Sequence, residues 1–310
     1  MQFPSDAEKV SRPEPSLGFG SSPAFHLSAG SAYMGRGHSG KKLPLTPLVA
    51  PRTMVPQETR SRSGVTAEGM ALSDLTFTAA LGALRASQKS PIGISLYSRY
   101  VNRPVGRVFA AAAAAAGLTP NAVTAASAAM TATGLIVLAV APVTIGCGIV
   151  VALCLVVGFA LDSADGQVAR LTGRGSPAGE WLDHVVDAGK MVAIHAAVLI
   201  AAYRNELLTS AWLLIPLAYM LVVVLMFCGM TLFDLLMRAA GVKGSSQRSR
   251  PSTTRAVVLL FADYGVLALS FTAWGFSSAF FTAYVVLGAA TAAITGLLLA
   301  KWFRSLSALR

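Results

Sequence analysis

The sequence predicts an all-α polytopic membrane protein, with six transmembrane helices preceded by an amphipathic interfacial helix. Hydrophobic residues make up 54% of the 310-residue chain and only 13% of its residues are charged, a balance far from that of soluble domains. Six apolar stretches each reach the ~20 residues that a helix needs to cross the hydrocarbon core. Such spans must be helical, because lipid cannot satisfy the open edge of a sheet.

The chain begins with a long segment that has no membrane character. Residues 1–70 are rich in Pro, Gly and Ser and show neither helical nor strand periodicity, which predicts a disordered tail. The tail has no continuous apolar core of the signal-peptide type. A start of translation at Met54 or Met70 would remove most of it.

A predicted juxtamembrane segment follows at residues 71–118. Within it, residues 95–116 are amphipathic at helical spacing and carry three arginines, as expected of a helix that lies along a membrane surface. Pro104 predicts a break or kink in this helix.

The six-helix domain is predicted over residues 119–305. Thr119 suits the capping position of the first helix, and Pro120 suits its first turn, where an N–H group is not needed. The predicted spans are residues 121–141, 144–163, 181–203, 211–233, 255–274 and 277–300.

Basic residues fall in alternate loops and predict the orientation. They are Arg85, Lys89, Arg99, Arg103 and Arg107 before the first span, Arg170 and Arg174 after the second, Arg238, Lys243, Arg248, Arg250 and Arg255 after the fourth, and Lys301, Arg304 and Arg310 at the end. Loops rich in Lys and Arg stay in the cytoplasm. Both termini and the connection between spans two and three are therefore predicted to be cytoplasmic, with the plasma membrane as the expected location.

The net charge of +11 raises the question of a nucleic-acid partner. The basic residues sit between and before apolar spans, and no basic surface interleaved with aromatic residues is found. This placement suits anionic lipid headgroups and excludes a nucleic-acid-binding function.

Half of the chain's eight aspartates lie within 26 residues, at the junction of spans two and three. An ionised carboxylate beside an apolar segment is costly and persists mainly when it binds a metal, pairs with a cation or takes part in chemistry. If span two continues as a helix through Ala169, then Asp162 and Asp165 share one face with Gly166 and Ala169. A bulky anionic ligand could approach closely beside these two small residues.

On the next helix Asp183, Asp187 and Lys190 share a face. Four carboxylates without His or Cys partners at ligand spacing suit Mg²⁺ or Mn²⁺, and such a set can hold two ions. One carboxylate can serve as a general base, and Arg170 can bind a phosphate oxygen. The alternative is a set of inter-helix salt bridges and helix caps, but four acids against Arg170 and Lys190 leave two negative charges uncompensated.

These residues form the pattern DxxDGxxARx8GxxxDxxxD, which runs from Asp162 to Asp187. At all eight positions and both gaps it resembles the signature of the CDP-alcohol phosphatidyltransferase family. The resemblance extends over residues 95–305, including the interfacial helix, the six spans and the opening of the first span at residues 118–124. It implies a phospholipid-synthesising enzyme that transfers a phosphatidyl group from a CDP-linked donor, usually CDP-diacylglycerol, to the hydroxyl of a polar alcohol, with release of CMP.

The resemblance also implies roles for single residues. Asp162, Asp165 and Asp183 would bind the metal ions, and Asp187 would contribute a ligand and deprotonate the acceptor hydroxyl. The residues around the CDP moiety would be Gly166, Ala169, Arg170 and Gly179, with Asn121 and Thr124 pointing inward from the first span. A homodimer is implied as well.

Three residues outside the signature are candidates for binding the acceptor or a phosphate. Lys190 either pairs with Asp187 or binds a phosphate of the donor or acceptor. Arg255 either reflects the positive-inside rule or binds a phosphorylated alcohol such as inositol phosphate or glycerol phosphate. Asp263, inside the fifth predicted span, is a functional candidate by its location, and it could instead pair with Lys190 or cap a polar pocket.

Two rival functions use the same aspartates. A transporter or cation channel would line an ion path with them, but it predicts acids at the bilayer midplane and gives no reason for Gly166, Ala169 and Gly179. A phosphotransferase that carries CDP on a head group and uses a lipid acceptor stays open, as does the identity of the acceptor alcohol.

Overall fold

The computed structural model describes residues 75–87, 94–242 and 253–309. The predicted tail of residues 1–70 lies outside them. The described residues form helices and no strand. The α-helices are α1 (Phe77–Ala86), α2 (Arg103–Ala115), α3 (Pro120–Val140), α4 (Ile145–Thr172), α5 (Pro177–Arg204), α6 (Leu214–Ala239), α7 (Thr253–Val258), α8 (Tyr264–Ser270) and α9 (Ser277–Ser307).

Five helical segments are long and apolar enough to cross a membrane, namely α3, α4, α5, α9 and the segment Ser210–Ala239 that contains α6. The predicted start of the first span is confirmed, because Pro120 opens α3 and the Thr119 side chain accepts a hydrogen bond from the Ala122 N–H. The remaining span is composed of two helical pieces. With it, the prediction of six transmembrane helices is confirmed.

The fifth predicted span, residues 255–274, is not one continuous helix. It consists of Thr253–Ala262 and Tyr264–Ala273, which meet at a 51° bend. Asp263 lies at the break with an extended backbone, and its side chain accepts a hydrogen bond from the Gly265 N–H, 2.8 Å away, to cap α8. A side-chain acceptor of this kind replaces the carbonyl that a continuous helix would supply. The Gly265 N–H therefore keeps a hydrogen-bond acceptor at the break.

The juxtamembrane segment packs on the transmembrane bundle. A π-helical turn at Ser98–Asn102 leads directly into α2, and α2 lies against α4 and α1. The predicted break at Pro104 is this widened turn, in which the Arg103 N–H bonds to the Ser98 carbonyl. A π turn shifts the hydrogen-bond ladder by one residue, so the helix continues past a proline that lacks a donor.

Helices α3, α4 and α5 form the centre of the fold. Helix α3 lies close to α4 at Gly158, where the Ser127 hydroxyl donates to the Gly158 carbonyl over 2.8 Å. Small residues and hydroxyls are the usual contacts between transmembrane helices, because they let the backbones come close.

The bundle contains two apolar clusters. One cluster, near the α4–α5 connection, includes Ala110, Val123 and Val168. The other, toward the opposite end of the bundle, is rich in aromatic residues such as Phe271 and Trp274. On α4 the signature aspartates lie in the stretch that contributes to the first cluster, whereas on α5 they precede the residues that belong to the second.

We expect Gly158→Ala to destabilise the protein. A Cβ at this position would lie 3.3 Å from both the Ser127 carbonyl oxygen and the Thr131 amide nitrogen and would collide with the Thr131 hydroxyl. Overpacking of this kind costs about 1–3 kcal/mol, so the melting temperature in detergent should fall. Gly296→Ala in α9 is the matched control, since its Cβ would meet no atom within 4 Å. Equal melting temperatures for the two variants would contradict the close contact.

Candidate active site

The connection between α4 and α5 brings the signature residues together. Helix α4 continues past Ala169 to Thr172, as the sequence suggested, and ends at Gly173, whose φ of 64° is in the left-handed region that favours glycine. Ser176 caps α5 by accepting a hydrogen bond from the Gly179 N–H over 3.0 Å, and Pro177 opens the helix. The short connection makes α4 and α5 antiparallel, with their aspartates facing each other.

Three of the four aspartates form a cluster. Asp162, Asp183 and Asp187 each offer a carboxylate oxygen, and these oxygens all lie within 4.8 Å of one another. We call these three residues the carboxylate cluster. Each is half-buried, so water screens their mutual repulsion only in part. A divalent cation with hard oxygen ligands fits this arrangement, because it can bind all three side chains and offset two of their three negative charges.

The fourth aspartate of the signature points elsewhere. Asp165 is buried, with 6% of its surface exposed, and one carboxylate oxygen accepts a hydrogen bond from the Thr124 hydroxyl over 2.6 Å. The other oxygen accepts from the Gly166 N–H over 2.5 Å. Asp165 is therefore held by α3 and by its own helix and lies outside the three-residue cluster.

Lys190 binds the carboxylate cluster from the side of α5. Its ammonium group pairs with Asp162, with Asp187 at 3.2 Å, and with the Ser127 hydroxyl at 3.0 Å. Of the alternatives for Lys190, pairing with Asp187 is what the structure shows, and Asp162 is a further partner. One lysine against three carboxylates leaves two negative charges in a half-buried site, and a divalent cation would compensate them.

A large cavity opens beside the α4–α5 connection. We call it the outer cavity; its volume is about 590 Å³. Every predicted CDP-binding residue lines it, together with two of the aspartates and further basic residues. The lining residues used below are Asn121, Thr124, Asp165, Gly166, Ala169, Arg170, Arg174, Gly179, Asp183 and Arg238.

Small side chains keep the outer cavity open. A Cβ at Gly166 would lie 3.4 Å from the Arg170 guanidinium, and one at Gly179 would lie 3.0 Å from the Asn121 side-chain oxygen. Larger residues at either position would push these polar side chains. At the rim, Arg238 pairs with Glu180 over 2.6 Å, which links the end of α6 to the start of α5.

A smaller cavity of about 60 Å³ lies on the other side of the carboxylate cluster. We call it the inner cavity. It is lined by Thr131, Phe159, Asp162, Asp187, Lys190, Met191 and Tyr264. The aspartates are thus divided between the two cavities, with Asp165 and Asp183 on the outer one and Asp162 and Asp187 on the inner one. Sequence reasoning missed Thr131 and Tyr264, because they lie on helices that carry no part of the signature.

The structure does not bring two of the predicted residues to these cavities. Arg255 is an exposed residue of α7 and lines neither cavity. Asp263 caps α8 and accepts hydrogen bonds from the hydroxyls of Ser95 and Ser98, so it does not pair with Lys190. The basic residues Lys243, Arg248 and Arg250 lie outside the described residues.

Comparison with known proteins adds one finding. A family model described as CDP-alcohol phosphatidyltransferase matches residues 117–295, which is more than half of the 310-residue chain. The matched range contains α3 to α8, most of α9 and all four aspartates of the signature, whereas α1 and α2 precede it. No curated protein matches the chain.

Proposed function

The chain belongs to the CDP-alcohol phosphatidyltransferase family, and we propose that its donor is CDP-diacylglycerol and its acceptor a polar alcohol. Members of this family are transferases that act on a CDP-linked alcohol and an alcohol acceptor. The products are CMP and a phospholipid. The observation that carries the proposal is the carboxylate cluster between two cavities, one of them lined by every small and basic residue of the signature.

The outer cavity is the proposed nucleotide site. Two of its three arginines, Arg170 and Arg174, provide cations for the diphosphate. Gly166, Ala169 and Gly179 leave room for a bulky anion. Asn121 and Thr124 line the same cavity from α3. In this proposal the Asn121 side chain bonds to the edge of the nucleotide base. Thr124 holds Asp165 in place through its hydrogen bond to that carboxylate.

The carboxylate cluster is the proposed metal site. A divalent ion bound by Asp162, Asp183 and Asp187 would neutralise phosphate charge and make CMP a better leaving group. Two ions, either Mg²⁺ or Mn²⁺, remain our proposal, because Asp165 and Asp183 line the outer cavity together and offer further oxygen ligands beside the cluster.

Asp187 is the proposed general base. It lines the inner cavity, opposite the proposed nucleotide site, where an acceptor hydroxyl would face the donor phosphorus. Its carboxylate would take the hydroxyl proton as the new phosphorus–oxygen bond forms and the bond to CMP breaks. Lys190, which contacts Asp187 at 3.2 Å, holds the carboxylate in place.

An apolar groove supports a lipid-linked donor. It runs between α3 and α5 from Ala128 and Val186 to Ala139 and Ile200, with a volume of about 520 Å³. Nearly all of its lining residues are apolar or small, including Ala132. Acyl chains placed there would stay in lipid while the diphosphate reaches the carboxylate cluster.

We further propose that both termini and the active site face the cytoplasm, in the plasma membrane. The support is the alternation of basic loops along the sequence, which follows the positive-inside rule. The homodimer that the resemblance implies is also part of the proposal.

The function is tested by the choice of donor. Purified protein in nanodiscs with Mg²⁺ should release CMP from CDP-diacylglycerol when a polar alcohol is added, and the lipid product should appear by mass spectrometry. CDP-choline with diacylglycerol as acceptor should release no CMP. Release from CDP-choline alone among these donors would instead establish a head-group transferase with a lipid acceptor.

A further inference from the structure

The inner cavity lies deeper in the bundle than the outer one. Asp162 precedes Asp165 by three residues in α4, and Asp187 follows Asp183 by four residues in α5. With a rise of 1.5 Å per residue, the aspartates of the inner cavity are therefore about 4.5–6 Å farther from the α4–α5 connection. Thr131 reaches the same depth on α3, two turns beyond Thr124.

Among the described residues, one buried hydroxyl at this cavity is only weakly bonded to the protein. The Tyr264 hydroxyl is shielded from solvent and makes no hydrogen bond of normal geometry, although the Thr131 side chain is close by and lines the same cavity. Buried hydroxyls in proteins are almost always hydrogen-bonded to protein, water or ligand. The Tyr264 hydroxyl, with only a poorly aligned contact to Thr131, can bond to a further partner, which indicates that a polar molecule belongs in the cavity.

The geometry of the reaction indicates which polar molecule binds in the inner cavity. In phosphoryl transfer the attacking oxygen and the leaving oxygen lie roughly in line on opposite sides of the phosphorus. Under the proposed function CMP leaves into the outer cavity, so the acceptor oxygen must approach from the far side of the carboxylate cluster. The inner cavity is on that side, and it contains Asp187.

The charges around the inner cavity restrict the acceptor further. Lys190 has three N–H donors, and they are engaged by Asp162, Asp187 and the Ser127 hydroxyl. Among the described residues, no arginine lines the cavity. A phosphate group bound there would face two carboxylates with no uncommitted cation beside it, whereas hydroxyl groups can bond to Tyr264, Thr131 and the carboxylates.

Contacts from outside the family-matched range hold Tyr264 in place. Ser95 and Ser98 donate to the Asp263 carboxylate, next to Tyr264 in the chain. The Tyr97 ring stacks on Phe159, with 6.4 Å between the ring centres, and the Phe159 ring lies 5.1 Å from that of Tyr264. Tyr264 is thus held by the Phe159 ring and by the anchored Asp263 beside it in the chain.

From these observations, and resting on the proposed function, we propose that the inner cavity is the acceptor site for a small uncharged polyol, and that the Tyr264 hydroxyl binds the hydroxyl next to the one that reacts. Tyr264 is then a specificity-determining residue outside the signature. Asp187 contacts the reacting hydroxyl in the same cavity.

The test compares matched acceptors with CDP-diacylglycerol as donor. The pairs are glycerol with sn-glycerol 3-phosphate, myo-inositol with myo-inositol 1-phosphate, and glycerol with 1,3-propanediol, which lacks the neighbouring hydroxyl. We expect the uncharged member of each phosphate pair to have a higher kcat/KM. We also expect 1,3-propanediol to be at least about 10-fold poorer than glycerol, the loss expected for one hydrogen bond.

The Tyr264→Phe variant keeps the ring and removes the hydroxyl. Its KM for glycerol should rise about 10-fold, its KM for CDP-diacylglycerol should stay unchanged, and its activity with 1,3-propanediol should equal that of the parent protein. Tyr203→Phe, at an exposed position near the end of α5, is the control and should change none of these values. An equal rise in both KM values would indicate a general structural effect and would overturn the proposal.

Other outcomes separate this inference from the proposed function. If CMP is released from CDP-diacylglycerol but phosphorylated alcohols or amino alcohols are the preferred acceptors, the acceptor assignment is wrong and the function stands. The same holds if no uncharged polyol is accepted, or if Tyr264→Phe leaves the polyol KM unchanged. If CDP-diacylglycerol yields no CMP with any acceptor, the proposed function fails and the inference fails with it.

Discussion

The Asp187→Asn variant is expected to release CMP from CDP-diacylglycerol about 10³-fold more slowly than the parent protein, in the middle of the range for loss of a positioned general base. Asparagine has the same shape and can still accept a hydrogen bond from Lys190, which contacts Asp187 at 3.2 Å. It lacks the basic oxygen that would take the proton and one negative charge of the carboxylate cluster. The initial rate of CMP release at saturating acceptor measures the effect.

The control for this variant is Asp234→Asn, the same chemical change at an exposed position of α6. Its rate of CMP release should equal that of the parent protein. Both variants should retain the melting temperature and membrane insertion of the parent. Full activity of Asp187→Asn would refute the assignment of Asp187 as the base, whatever the metal requirement.

The Asp162→Asn variant is expected to need at least about 10-fold more Mg²⁺ or Mn²⁺ for half-maximal activity, because loss of a polar partner of a metal site already costs about 10–100-fold in affinity. Asp162 supplies one of three oxygens that lie within 4.8 Å of one another. Chelation of divalent ions should abolish CMP release in the parent protein, and added Mg²⁺ or Mn²⁺ should restore it.

Binding of Mn²⁺ measured by electron paramagnetic resonance gives a readout that does not depend on turnover. Its dissociation constant should rise in Asp162→Asn and stay constant in Asp234→Asn. An unchanged metal requirement together with unchanged Mn²⁺ binding would show that Asp162 serves only as the partner of Lys190.

The parts of the fold that depend on local periodicity could be predicted from the sequence. Apolar length predicted six spans, and the structure confirms them, because each helix satisfies its own backbone whatever its neighbours are. The spacing of three residues between Asp162 and Asp165 placed both on one helical face. The spacing alone could not identify the partners of the two side chains, because these partners lie on other helices. Asp165 accepts a hydrogen bond from Thr124, whereas Asp162 belongs to the carboxylate cluster.

The fifth span shows why hydropathy was not sufficient. Residues 255–274 are apolar enough for one helix, yet the span bends at Asp263. The residues that stabilise the bend are Ser95 and Ser98, more than 160 positions earlier in the chain. A pattern read within one span contains no information about such distant partners.

By itself, the sequence determined the family and the six-helix architecture and predicted a set of site residues, because these depend on apolar length and on the spacing of side chains along single helices. Only the tertiary structure decided how those residues are distributed between the two cavities. It placed Asp165 and Asp183 on the outer cavity and Asp162 and Asp187 on the inner one, gave Lys190 two carboxylate partners, and brought Tyr264 to the site. The reason is physical: helical spacing fixes which side chains share a face, whereas the packing of one helix on another fixes which faces meet.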